Sequence, residues 1–167
     1  MPSKNSGENI TGGHMELNPD FQEFLRSFVA HDVRFLIVGG YALAAHGHPR
    51  YTKDLDVWVW TDPSNAERVV AALEQFGFGG LGLVAADFED SDVVVQLGRE
   101  PQRIDILTFA TGLAFDEAYS NRVMVDVGGT PTPIISVDDL RTNKLATGRL
   151  RDRADAAELP ASEGHDF

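Results

Sequence analysis

Cysteine is missing from the 167-residue chain, so neither a disulfide nor a thiolate metal site can form. Long apolar runs are missing as well. None approaches the roughly 20 residues that cross a bilayer, and the N-terminus lacks the charged-then-apolar build of a signal peptide. A cytoplasmic protein without a membrane partner is the expectation. Positive charge is scarce, with 14 Lys and Arg against 26 Asp and Glu and a formal net charge of −12. So acidic a surface repels a nucleic-acid backbone on average, which argues against broad duplex binding. The exception is local: Arg141, Lys144, Arg149, Arg151 and Arg153 crowd one short stretch against a single acid, Asp152. A patch of this kind fits a triphosphate, or one end of an RNA, better than a long duplex.

The apolar fraction of 43% and charged fraction of 24% are those of an ordinary globular protein, and the length suits one domain with a real core. Residues 1–15 have little apolar content and are expected to be a disordered extension or, given Gly13-His14-Met15, a tag remnant. A single domain over 16–160 and a tail over 161–167 follow. Asn18-Pro19 and Asp62-Pro63 are cap-plus-proline helix starts, each followed by apolar residues at helical spacing. Strands are expected at Arg34–Val38, Asp54–Trp60, Val93–Leu97 and Arg103–Leu107. The last two are joined by a hairpin turn over Gly98–Gln102. Between the first two, Tyr41–His46 reads as a short helix broken at Gly47-His48-Pro49. Arg122–Val127 and Thr132–Ser136 read as a further strand pair. Ser136 then caps a helix to about Gly148, and a last helix covers Arg151–Leu159. This order gives an α+β fold, a mixed β-sheet flanked by helices.

Chemistry concentrates in the first half of this pattern. Gly39-Gly40 ends an apolar strand, where a glycine turn lets phosphate oxygens approach backbone N–H groups. Asp54 and Asp56 follow at i and i+2 on a strand, so their carboxylates share a face. Asp105, between two isoleucines on a later strand, needs a compensating partner. If it joins the other two, like charges about 4 Å apart repel by roughly 4 kcal/mol at an effective dielectric near 20. Such a cluster either raises its own pKa values or recruits cations. Oxygen donors suit Mg²⁺, and two ions are the usual arrangement at phosphoryl-transfer sites.

Each residue has a structural alternative. Asp54 could pair with Lys53 or Arg50, and the glycine pair could be an ordinary strand-to-helix turn. Arg50 and Thr52 could organise a loop, and Lys144 could be a rim lysine. Asp152 reads as a helix-start acid paired with the neighbouring arginines. Trp58 and Trp60 share the Asp56 face and read first as packing residues. His31 reads as a helix-end residue, and His46 and His48 as loop residues near the site. Asp87, Glu89, Asp90 and Asp92 read as a solvated connection rather than a calcium loop.

Taken in order, Gly39-Gly40, Arg50-Tyr-Thr52 before Asp54-Leu-Asp56, Asp105, and Lys144 through Arg149-Leu-Arg-Asp152 resemble the nucleotidyltransferase superfamily with the DNA polymerase beta-like fold. The likeness is greatest to the minimal bacterial group related to abortive-infection and toxin–antitoxin nucleotidyltransferases. It spans about Phe35 to Leu159. The resemblance implies that Asp54, Asp56 and Asp105 are catalytic and hold two Mg²⁺ ions, with Mn²⁺ as an alternative. It also implies that Gly39, Gly40, Arg50, Thr52 and Lys144 bind a nucleoside triphosphate. The activity implied is transfer of a nucleoside monophosphate to an acceptor hydroxyl on RNA, protein or a small molecule. Rival readings are a catalytically inactive binding or antitoxin module of the same fold and a metal-dependent phosphohydrolase. Because only short helices follow the sheet, the acceptor surface is expected to come from a protein partner or a second copy.

Overall fold

Among the described residues, seven strands form one sheet in the spatial order His14–Met15, Val123–Val127, Thr130–Ile134, Phe35–Val38, Leu55–Val59, Ile104–Leu107, Val94–Leu97. The computed structural model describes residues 13–15, 17–48, 54–99 and 102–160. The strands are β1 (His14–Met15), β2 (Phe35–Val38), β3 (Leu55–Val59), β4 (Val94–Leu97), β5 (Ile104–Leu107), β6 (Val123–Val127) and β7 (Thr130–Ile134). The helices are α1 (Pro19–Ala30), α2 (Gly39–Ala45), α3 (Pro63–Leu73), α4 (Phe115–Ser120), α5 (Val137–Thr147) and α6 (Leu150–Glu158). β3 runs parallel to β5 and antiparallel to β2, and the β4/β5 and β6/β7 pairs are antiparallel. The sheet is therefore mixed, and the fold is the expected α+β class.

Local chemistry explains the helix starts. Asn18 Oδ1 accepts from Phe21 N at 2.9 Å, Asp62 Oδ2 from Ser64 N at 3.1 Å, and Ser136 Oγ from Asp139 N at 3.1 Å. Each bond satisfies a backbone donor that the first helical turn leaves unpaired. Phe21, Phe24, Leu25 and Phe28 of α1 are fully buried, as are Ala66, Val69 and Ala72 of α3. Full burial of one such large side chain stabilises the fold by about 1.5–3 kcal/mol. Every residue of β2 is buried, as expected of a central strand. Asn65, fully buried, receives Arg34 N at 2.7 Å and donates to the carbonyls of Arg34 (3.1 Å) and Trp60 (2.9 Å). It thereby ties α3 to the ends of β2 and β3.

Several expectations change. Gly39-Gly40 lies inside the first turn of α2 rather than ahead of the helix. The last hairpin turns on Gly128-Gly129 alone, both at positive φ (59° and 90°), so β7 begins two residues before the expected Thr132. Two positive-φ residues are what a tight two-residue turn requires, and Pro131, which suggests a longer connection, lies within the strand. Pro131 and Pro133 lack the N–H that a full ladder needs, and β7 pairs with β2 only at Ile37↔Ile134. At the N-terminus, His14–Met15 pairs in parallel with Asp126 and Val127 instead of lacking order, because buried Met15 and Leu17 anchor it. The acidic connection before β4 contains a short 3₁₀ turn, Ala85–Phe88, held by fully buried Phe88. Residues 1–12 and 161–167 lie outside the described residues.

Candidate active site

The sheet register brings the three aspartates together. On the parallel pair β3/β5, Asp56 stands opposite Asp105, and on the antiparallel pair β2/β3 it stands opposite Val38, the residue before Gly39. Asp54, two residues before Asp56, shares its face. Residues Asp54, Asp56 and Asp105 line one cleft of about 750 Å³ together with Gly39 and Gly40. Lys144, Asp152 and Asp155 from α5 and α6 also line it. Arg50 and Thr52 lie outside the described residues.

Gly39 has φ +70°, and a Cβ built on it would lie 2.1 Å from Asp56 Oδ2. Glycine is thus required twice, for the left-handed backbone and for the room taken by the carboxylate. That packing helps to bury Asp56. Burial, together with the like charges of Asp105 and Asp54, pushes the Asp56 carboxyl up from its ordinary 3.8 to about 7, against the opposing pull of Arg103 and Lys144.

Arg103 was invisible as a site residue in the sequence. It lies two residues before Asp105, on the same face, and its guanidinium enters the carboxylate cluster. Nε donates to Asp105 Oδ1 at 3.0 Å, while Nη2 donates to Asp105 Oδ2 at 3.1 Å and to Asp54 Oδ2 at 2.7 Å. The sequence signal that could have found it is the i, i+2 spacing of Arg103 and Asp105 beside a buried acid. Asp54 Oδ1, also buried, has no hydrogen-bond partner among the described residues.

Lys144 reaches the cleft from α5, with 12% of its side chain exposed, and pairs with Asp152 (3.3 Å) and Asp155 (3.2 Å) of α6. It is therefore no rim lysine, and its nearest charges belong to the protein. Asp152 also accepts from Thr147 Oγ1 and from Arg149 Nε, each at 2.7 Å. Burial pushes the Asp152 carboxyl up, but Thr147, Arg149 and Lys144 together outweigh it and hold the group below the usual carboxylate range. The pairing of Asp152 with Arg149 matches expectation, whereas Asp155 went unread.

Other candidates settle into structural roles. Trp58 is buried and meets Phe115 edge to face at 5.1 Å, and Trp60 stacks on the same ring at 6.4 Å. His46 Nε2 lies 2.7 Å from the Ile135 carbonyl, His48 pairs with Glu158 at 3.0 Å, and His31 Nδ1 lies 2.9 Å from the Ser27 carbonyl.

Two observations bear on a metal. Among the described residues, no three His, Asp or Glu side chains are arranged to ligate one ion as they stand. The guanidinium between Asp54 and Asp105 takes three carboxylate oxygens that a cation would use. The donor chemistry nonetheless fits a hard divalent cation. All candidate donors are carboxylate oxygens, one is buried and unsatisfied, and at Asp56 burial and the neighbouring carboxylates outweigh the pull of Arg103 and Lys144.

No known family's sequence profile matches the chain, and no curated protein does. Its structure is similar to that of a Thermotoga maritima protein described as a candidate nucleotidyltransferase, with a TM-score of 0.54 and 16% identity over 83% of this chain and 90% of that one. At that identity the likeness establishes a nucleotidyltransferase-like fold. Among the described residues, no helix is long and apolar enough to cross a membrane.

Proposed function

We propose that the protein is a divalent-metal-dependent nucleotidyltransferase. The observation that carries this reading is the register of Asp56 against Asp105, with Asp54 on the same face, at a cleft bordered by Gly39-Gly40. In the reaction, an acceptor hydroxyl oxygen bonds to the α-phosphorus of a nucleoside triphosphate and the bond to pyrophosphate breaks. The hydroxyl proton passes to solvent. Asp54, Asp56 and Asp105 would hold Mg²⁺, two ions in all, or Mn²⁺ in its place. When bound, the ions polarise the phosphate oxygens and lower the pKa of the attacking hydroxyl.

The chain's own groups position the substrate. Gly39 and Gly40, bare of side chains at the cleft edge, let phosphate oxygens come close to the backbone. Lys144 places positive charge in the same cleft, where the departing pyrophosphate gathers negative charge. Arg50 and Thr52, which precede Asp54 in the sequence, would contact the nucleotide by the sequence resemblance alone. The acceptor is RNA, a protein or a small molecule, and the setting we propose is a cytoplasmic toxin–antitoxin or phage-defence system.

The test is incubation with each α-labelled nucleoside triphosphate, Mg²⁺ and a cellular extract. Wild type transfers label, and Asp54→Asn and Asp105→Asn do not, although both melt as folded proteins. Label transfer by both variants at the wild-type rate contradicts the reading. A second reading is favoured by the Arg103 bridge across Asp54 and Asp105, which suits a nucleotidyltransferase-fold binding module that no longer catalyses. Such a module binds nucleotide and releases no pyrophosphate with any acceptor.

A further inference from the structure

Arg103 is fixed where a cation belongs. Its backbone carbonyl accepts from Leu55 N at 3.0 Å, which joins the start of β5 to β3. Its side chain forks onto both oxygens of Asp105 and reaches Asp54 Oδ2, yet 28% of it remains exposed. An arginine carries its charge at every working pH, so this position does not empty by loss of that charge. Competition for its carboxylate partners can empty it. A divalent ion that draws on Asp54, Asp56 and Asp105 meets Asp54 Oδ1 and an Asp56 carboxylate to which Arg103 makes none of these hydrogen bonds, and finds the remaining oxygens taken.

We propose that Arg103 is the resident counter-ion of the carboxylate site, a positioning residue that holds Asp54 and Asp105 together and that a divalent cation must displace to bind. The inference rests on the metal-site reading of the proposed function. Two consequences follow. Without the ion, the bridge keeps two mutually repelling carboxylates in place, so the site is built before it is loaded. With the ion bound, the guanidinium gives up Asp54 and Asp105, and its charge beside the cleft attracts an anion. Phosphate groups of a nucleotide then give it a new partner, so nucleotide and divalent ion bind with positive coupling.

The experiment titrates Mn²⁺ into full-length protein and follows unbound Mn²⁺ by electron paramagnetic resonance. In Arg103→Gln the ion has no competitor, and affinity rises about ten-fold or more over wild type. Arg103→Lys keeps the charge but loses the fork and falls between the two. Equal or weaker Mn²⁺ binding by Arg103→Gln overturns the proposal. A second measurement needs no variant. In wild type, the Arg103 Nε–H resonance is protected from exchange by Asp105, and saturation with Mg²⁺ removes that protection; protection that persists at saturation overturns the proposal equally. Failure here remains separable from failure of the proposed function. A wild type that binds Mn²⁺ as tightly as Arg103→Gln and still transfers label defeats only the counter-ion role. A protein that binds Mn²⁺ as described and transfers no label defeats only the activity.

Discussion

The bare Cα of Gly39 packs against the Asp56 carboxylate so closely that a methyl group there would stand 2.1 Å from Oδ2. The first glycine after β2 is thus part of the acidic site. Gly39→Ala must either move Asp56 or distort the turn, and its positive φ adds about 1 kcal/mol of strain. The expected result is a loss of about 2–3 kcal/mol in urea denaturation together with weakened Mn²⁺ binding. Gly40→Ala, at a position without positive φ, has a smaller effect on both. Equal losses at the two positions contradict this assignment.

Asp56 should leave a mark on stability as a function of pH. Its folded-state carboxyl titrates near 7 against an ordinary 3.8, so between those values the folded protein holds a proton that the unfolded chain has lost. Stability in the presence of EDTA therefore falls as pH rises from about 4 to about 7, and levels off above. Asp56→Asn removes the charge that is unfavourable at high pH. At pH 8 it is expected to be more stable than wild type by about 1–3 kcal/mol, with the advantage gone near pH 4. An advantage of the same size at both pH values contradicts the assignment.

Lys144 has two acidic partners in a nearly buried setting. Lys144→Met leaves Asp152 and Asp155 without their ammonium ion, and removing one member of a buried ion pair costs about 3–5 kcal/mol. A rim lysine would cost under about 1 kcal/mol. Asp152, held below the ordinary carboxylate range, contributes stability above its unfolded value and loses it as pH falls through its lowered folded value. The deficit of Lys144→Met measured by urea denaturation is accordingly large at pH 7 and shrinks in strong acid.

Asn65 tests the frame that carries the site. Replacing it with Leu removes three hydrogen bonds and strands the Arg34 amide and the Trp60 carbonyl, while the Arg34 carbonyl keeps its bond from Trp60 N at 3.2 Å. The expected loss is about 2–4 kcal/mol in urea denaturation. A loss below about 0.5 kcal/mol would mean that β2 and β3 are held elsewhere.

What could be read from the sequence was what depends on near neighbours. Asn18, Asp62 and Ser136 announce their helices because a cap bonds a backbone two or three residues on. Asp54 and Asp56 announce a shared face because side chains alternate along a strand. The long-range pairings were harder to see. Arg103 looked like the first residue of a strand, since its bond to Asp54 depends on β3 and β5 lying parallel in one particular register. Asp155 stayed hidden because it meets Lys144 only after α5 and α6 fold back on each other. The start of β7 is later in the sequence reading for a local reason: Pro131 looks like a turn residue, and only the two-residue Gly128-Gly129 turn makes room for it in a strand.

The central claim is that Asp54, Asp56 and Asp105 together hold divalent metal. The most direct measurement is the Mn²⁺ stoichiometry and affinity of the full chain, read from unbound Mn²⁺ by electron paramagnetic resonance in wild type, Asp54→Asn, Asp56→Asn and Asp105→Asn. The predicted result is saturable binding by wild type in the presence of a non-hydrolysable nucleotide, lost or weakened about ten-fold or more by each single substitution while the variants remain folded. Binding that is unchanged in Asp105→Asn, or absent from wild type, would contradict it.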